Sequence, residues 1–350
     1  MTARRFKGFY FLLAALNTFA STWFLNFLFF HLRDAFGFKD RQNLWVTAMH
    51  GLVYAVAAWQ CGKFAQRRGF FASLKVGFSG LATVLAVAAL LHSPVGILCG
   101  LVSYTVMLLF TWPALEALVS ENESQAGVQH NVGLYNTTWA SSAAIAYFTG
   151  GKLYELLGHT LVFWMPAAIF LLEFLIVLWL QRQKAQSSAP GISTADHSAH
   201  SQINPSSAAR KPAFTPAIPP ARFLQMAWLA NPFAYVAINT VIAVMPGIAH
   251  KLALSPTRVG LFCSVWMFAR LATFVLLWQW RGWHYRFHWL LSSFLLLIGS
   301  FMMLLLADAL WLIVLAQVFF GFAVGLIYYS SLFYSMDVGG DSQGGTRRFP

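Results

Sequence analysis

Among the ionisable side chains inside long apolar runs, four stand out: Arg270, Glu173, His50 and Glu116. Surrounded by hydrocarbon, such groups are costly and mark solute pathways, proton relays or ligand contacts. A buried guanidinium wants a carboxylate, a phosphate or carbonyl oxygens. Arg270 is therefore a candidate substrate or gating contact, with snorkelling or a structural pair as the alternative. His50 suits either a proton relay or a hydrogen-bonded packing role. Glu173 suits a relay, a structural partnership or a protonated, lipid-facing position. Glu116 follows Trp112-Pro113 near the end of its run. It can pair with Arg67 or Arg68, or stand as a solvated rim charge.

Neutral polar residues cluster on four of the runs. One carries Asn17, Thr18, Ser21, Thr22 and Asn26, and another Asn136, Thr137, Thr138, Trp139, Ser141 and Ser142. A third has Asn239 and Thr240, and the last has Gln317, Tyr328, Tyr329, Ser330 and Ser331. At helical spacing Asn17, Ser21 and Thr22 share one face. Singly, such residues hold helices together. As a set they mark a polar, aromatic-lined path, suited to a neutral or weakly charged organic solute rather than a bare ion.

The elements that position these groups are long. The chain has 350 residues, 58% hydrophobic, 17% aromatic and only 10% charged, against about 25% charged in soluble domains. Ten apolar stretches lie at about 8–32, 43–61, 71–91, 95–119, 131–152, 159–181, 222–249, 256–280, 287–307 and 309–335. Each approaches the roughly 20 residues a spanning helix needs, and in lipid a helix satisfies its own backbone. An all-α polytopic membrane bundle is expected, not a barrel. Arg4, Arg5 and Lys7 precede the first stretch in the manner of a signal peptide, but the run is too long for a cleaved one.

The order of features repeats after about 218 residues. Glu123-Ser124-Gln125-Ala126-Gly127 after the fourth stretch is echoed by Asp341-Ser342-Gln343-Gly344-Gly345 after the tenth. Duplicated helical halves mark many secondary transporters. The expected division is a six-helix bundle over 1–182, a disordered linker over 183–221 rich in Ser, Ala and Pro, a four-helix partial bundle over 222–338 and a polar tail over 339–350. Two pseudo-symmetric halves of six and four helices suggest that a further helix pair is missing after Pro350.

Charge sorts by side. With the N-terminus in the cytoplasm, inner segments hold fifteen Lys/Arg and outer loops six; Lys75 and Arg270 fall within spans. This fits the positive-inside rule with both termini cytoplasmic. The net charge of +12 is scattered over loops, so no nucleic-acid partner is expected. Cys61, Cys99 and Cys263 have no metal spacing and suit packing. No phosphate loop, metal cluster or nucleophile elbow is found, so no cofactor, no metal and no enzymatic activity are expected.

One loop carries a family resemblance. Gly62-Lys63-Phe64-Ala65-Gln66-Arg67-Arg68-Gly69 lies between the second and third runs. It resembles the loop motif of the major facilitator superfamily: Gly62, Ala65, Arg67 and Gly69 match, while Gln66 replaces the usual Asp. Trp280-Arg281-Gly282-Trp283-His284-Tyr285-Arg286 is a degenerate second copy. The resemblance implies gating by this loop, with Arg67 and Arg68 meeting lipid phosphates, helix ends or carboxylates such as Glu116. It implies that Arg270 borders a central cavity and that Glu173 is peripheral. The run at 95–119 lacks the basic residue of proton-driven drug exporters. Phe148-Thr149-Gly150-Gly151 keeps a double glycine without the exporters' proline.

The expected function is secondary transport of a small organic solute across the inner membrane by alternating access. A solute, proton or sodium gradient would drive it, and Pro113, Pro166 and Pro246 would permit bending. An incomplete, inactive product is a variant of this reading. A membrane enzyme acting on lipid or isoprenoid substrates, and a non-transporting sensor, are the alternatives.

Overall fold

The computed structural model describes residues 3–121, 125–187, 218–280 and 282–341. Eleven α-helices occupy them: α1 (Ala3–Phe36), α2 (Asp40–Arg68), α3 (Phe70–Leu90), α4 (Pro94–Leu108), α5 (Trp112–Ser120), α6 (Gln125–Leu157), α7 (Leu161–Ser187), α8 (Pro220–Lys251), α9 (Pro256–Gln279), α10 (Phe287–Leu306) and α11 (Leu310–Asp341). There is no strand among the described residues. The chain is an all-α polytopic bundle, as expected.

Among the described residues eight segments are long and apolar enough to cross a membrane, α4 and α5 counting as one over Pro94–Ser120. The expected ten include α2 and α6, which fall short in apolarity. α2 opens on Asp40-Arg41-Gln42-Asn43 and ends on Arg67-Arg68, and α6 bears the Asn136–Ser142 cluster. Two of these polar groups are satisfied within the helix: the Thr137 and Thr138 hydroxyls donate to the Gly133 and Leu134 carbonyls.

The fourth apolar run is broken rather than bent. Pro113 has no N–H and disturbs the preceding turn, so α4 ends at Leu108 and α5 restarts at Trp112. Neighbours supply the lost hydrogen bonds: the Ser73 hydroxyl donates to the Phe110 carbonyl at 2.7 Å, and the Thr111 hydroxyl to the Leu108 carbonyl at 2.7 Å. Pro166 and Pro246 instead lie within continuous helices.

Three boundaries differ from expectation. α7 runs to Ser187 and α8 begins at Pro220, both inside the segment read as linker, and α11 continues to Asp341, into the segment read as tail. Residues 188–217 and 342–350 lie outside the described residues, as do parts of both repeated Ser-Gln segments.

α1 packs against α6 and α7, α3 against α7, and α10 against α11; α6 runs along α9 and joins the two halves. For orientation, one end of the bundle holds the α1–α2 connection at Asp40 and the other the α2–α3 turn at Gly69. Gly69 has φ of 87°, a conformation that glycine adopts freely. Gly62 lies inside α2 with open space around it, so it serves no close approach. The equivalent α9–α10 connection is anchored by Trp283, buried against Phe223 and Tyr334.

At the Asp40 end the halves meet backbone to backbone. Gly151 of α6 and Gly260 of α9 face each other so closely that a Cβ on Gly260 would lie 2.6 Å from the Gly151 nitrogen. Beside them the Glu155 carboxylate accepts from the Thr257 hydroxyl at 2.6 Å and the Thr257 N–H at 3.1 Å. Asn43 of α2 donates to the Ala243 carbonyl of α8 at 3.2 Å.

Candidate functional site

A cavity of about 280 Å³ lies between the halves. α1, α2, α4, α5, α6, α8, α9 and α11 all contribute to its wall. Of the residues singled out from sequence, Thr18, Ser21, Thr22, His50, Glu116, Trp139, Arg270 and Tyr328 line it. Arg270 stands ten residues along α9 from Gly260, about 15 Å at helical rise, so the cavity lies deeper than the closing contact.

Arg270 is only 4% exposed. Its guanidinium carbon lies 4.7 Å from the Trp139 ring centre, 5.1 Å from Tyr328 and 5.5 Å from Phe274. Such stacking is favourable when the pair is desolvated. Trp139 is itself fixed, donating from Nε1 to Asn136 Oδ1 at 3.0 Å. Nε and Nη2 of Arg270 have no hydrogen-bond partner. Among the described residues no carboxylate forms an ion pair with it.

His50 Nδ1 lies 2.7 Å from the Thr105 hydroxyl. That hydroxyl gives its one proton to the Leu101 carbonyl at 2.7 Å, so Nδ1 must donate and Nε2 is left as the acceptor. Glu116 is exposed into the cavity region, and no ion pair joins it to Arg67 or Arg68 among the described residues. Gln66, Arg67, Arg68 and Gly69 are all exposed at the turn.

Asn17, Asn26, Asn136, Asn239 and Gln317 do not line the cavity. Asn17 is fully buried and donates to Thr111 Oγ1 at 3.2 Å, so it supports the α4–α5 break. Asn26 and Gln317 are buried without partners. Asn136 is the acceptor that holds Trp139, and Asn239 donates to the Tyr235 carbonyl of its own helix. Glu173 is 0% exposed and both of its oxygens lack partners. It is not lipid-facing: it lies inside the first half, with Asn17 and Tyr104 as polar neighbours.

The wall also holds residues the sequence reading passed over: Tyr54, Trp112, Tyr135, Tyr147, Tyr235 and Trp266. The signal was present, since all six are aromatic rings with a polar handle within apolar runs, and Tyr235 stands 218 residues after Asn17. Such side chains want one wet end.

The fold has solved relatives. A bacterial homologue of the human lysosomal transporter Spinster, in an inward-facing and occupied conformation, superposes with a TM-score of 0.63 at 16% identity, over 94% of this chain and 76% of that one. The nucleoside transporter NupG superposes with a TM-score of 0.64 at 14% identity, over 96% of this chain and 84% of that one. A comparison with curated proteins finds no match. The sequence profile of the Major Facilitator Superfamily matches residues 5–346, and with the two-sided cavity and the helical bundle around it this makes the chain a multi-pass membrane protein belonging to that superfamily of transporters.

Proposed function

We propose that this chain moves a small organic solute across the inner membrane by alternating access, without enzymatic chemistry. Two halves, 1–182 and 222–338, would rock about the cavity, with 183–221 as a cytoplasmic linker and both termini cytoplasmic. The energy would come from a solute, proton or sodium gradient. The observation that carries this reading is the wall of the cavity, drawn from both halves and lying beneath a closing contact at the Asp40 end. On the proposed topology that end is the outer one. The Gly62–Gly69 segment would then face the cytoplasm, with Arg67, Arg68 and Glu116 gating that side. His50, with a free Nε2 acceptor at the cavity, is the first candidate for a coupling proton, and Glu173 the second.

The test does not need the solute. In a variant lacking Cys61, Cys99 and Cys263, Thr22→Cys places one thiol on the cavity wall. In oriented vesicles, a membrane-impermeant maleimide should reach it from either side, at different rates. Labelling from a single side under every imposed gradient would overturn alternating access.

A further inference from the structure

The uncompensated state of Arg270 identifies a substrate class. A guanidinium that is 4% exposed costs several kcal/mol in lost hydration unless something replaces the water. The rings of Trp139, Tyr328 and Phe274 lie against it, but they meet its charge without accepting its N–H groups. The Tyr235 hydroxyl approaches the same group, yet Nε and Nη2 remain without acceptors. A planar fork with unpartnered donors at a cavity wall suits a two-oxygen anion, which can take two parallel hydrogen bonds.

Building on the transport reading above, we infer that the solute is an organic monoanion, a carboxylate or a singly charged phosphate ester with a flat apolar body, whose oxygens dock on Arg270. Competing classes fit less well. A cation could reach the aromatic faces that Arg270 leaves free, but in a cavity of about 280 Å³ it would lie at short range from the guanidinium's positive charge. A neutral solute would leave the guanidinium uncompensated. The only acid on the cavity wall among the described residues is Glu116, and it is not paired with Arg270. Its carboxylate would repel a second negative charge, which disfavours dianions. His50 lines the same wall, 2.7 Å from the Thr105 hydroxyl, but an imidazole gains and loses its charge near neutrality, so Arg270 is the one permanently charged cation among the wall residues. The body of the solute would lie against Trp112 and Trp266, which border the same cavity.

The test uses one molecular body with three charges. Purified full-length protein is titrated with indole-3-acetate, indole-3-acetamide and tryptamine, and binding is read by thermal shift and intrinsic fluorescence. Methyl phenyl phosphate, a diester that carries a single negative charge, forms a fourth arm that separates phosphate from carboxylate. The expected result is binding of one or both anions at least tenfold tighter than the amide and the amine. Arg270→Gln should abolish the preference, and Arg270→Lys, which keeps charge but loses the fork, should weaken it. The comparison on unaltered protein stands even if these variants fail to fold. Equal binding of all charge forms, or tighter binding of tryptamine, overturns the anion assignment while leaving alternating access intact. Binding of none of the four also overturns it, and the thiol-access experiment then decides the transport reading separately.

Discussion

Adding one methyl group to Gly151 should open the Asp40 end of the bundle. A Cβ there would fall on the Pro256 carbonyl oxygen and lie 2.7 and 2.9 Å from the backbone nitrogen and Cα of Gly260. These are backbone atoms of a facing helix and cannot rotate away, so α6 and α9 must separate. Overpacking of this kind costs about 1–3 kcal/mol. Alanine also favours a helix over glycine by about 1 kcal/mol, but that gain is equal in the closed and open states and cancels between them. The closed population should therefore fall by about 5- to 150-fold relative to the open one. Spin labels at Leu156 and Leu261, exposed positions on the two facing helix ends, report the separation by pulsed dipolar spectroscopy in a cysteine-free background. Gly151→Ala and Gly260→Ala should both move the distance distribution to longer values. Gly62→Ala, with no atom within 4 Å of its new Cβ, should not. An unchanged distribution in both variants, whatever their melting temperature, would falsify the view that this contact is what shuts that end.

The remaining expectations concern single contacts. Trp139→Phe keeps a ring over Arg270 but removes the N–H donated to Asn136, so thermal unfolding should register a loss of about 1 kcal/mol; no loss would mean that Asn136 finds another donor. Glu173→Met replaces a fully buried carboxyl without hydrogen bonds by an apolar side chain of similar length. Its melting temperature should rise, reflecting about 1–3 kcal/mol of relieved desolvation. A fall would reveal a partner for Glu173, and loss of proton-coupled flux at raised stability would assign it to the relay. The Glu155 carboxyl, outside the spans, is held below its ordinary range by the Thr257 hydroxyl and then by the Thr257 N–H. A depressed acid stabilises the state that holds it above its free pKa, and that contribution is lost as pH falls through the lower value. The same labelled α6–α9 pair should therefore separate as pH drops below about 4, and Thr257→Val should remove the dependence. A pH-independent distance in the unaltered protein would refute the role of Glu155.

Composition and run length made the helical bundle legible, because in lipid only helices and closed barrels meet their own hydrogen bonds, and barrel strands are shorter segments of alternating polarity. The gap at Leu109–Thr111 was half legible. Pro113 announced a disturbance, but a clean break rather than a bend depended on Ser73, Asn17 and Thr111 being at hand from three different segments to satisfy the exposed groups. That is tertiary information. The site divides in the same way. Helical spacing puts Asn17 and Ser21 on one face, and both are buried on α1. Yet Asn17 turns to its own bundle and Ser21 to the cavity, because a helix wedged between its own bundle and the opposite half is polar towards both. Arg270 was readable for a different reason. A full charge in an apolar run has few tolerable environments, so its chemistry alone predicts a special place. Glu173 passes the same test and lies in the bundle core instead, which separates what a buried charge signals from where it lies. What distinguishes the two is the company they keep: Arg270 is ringed by aromatic side chains from three helices of both halves, and that convergence comes from the packing of α6, α9 and α11 rather than from any stretch of sequence.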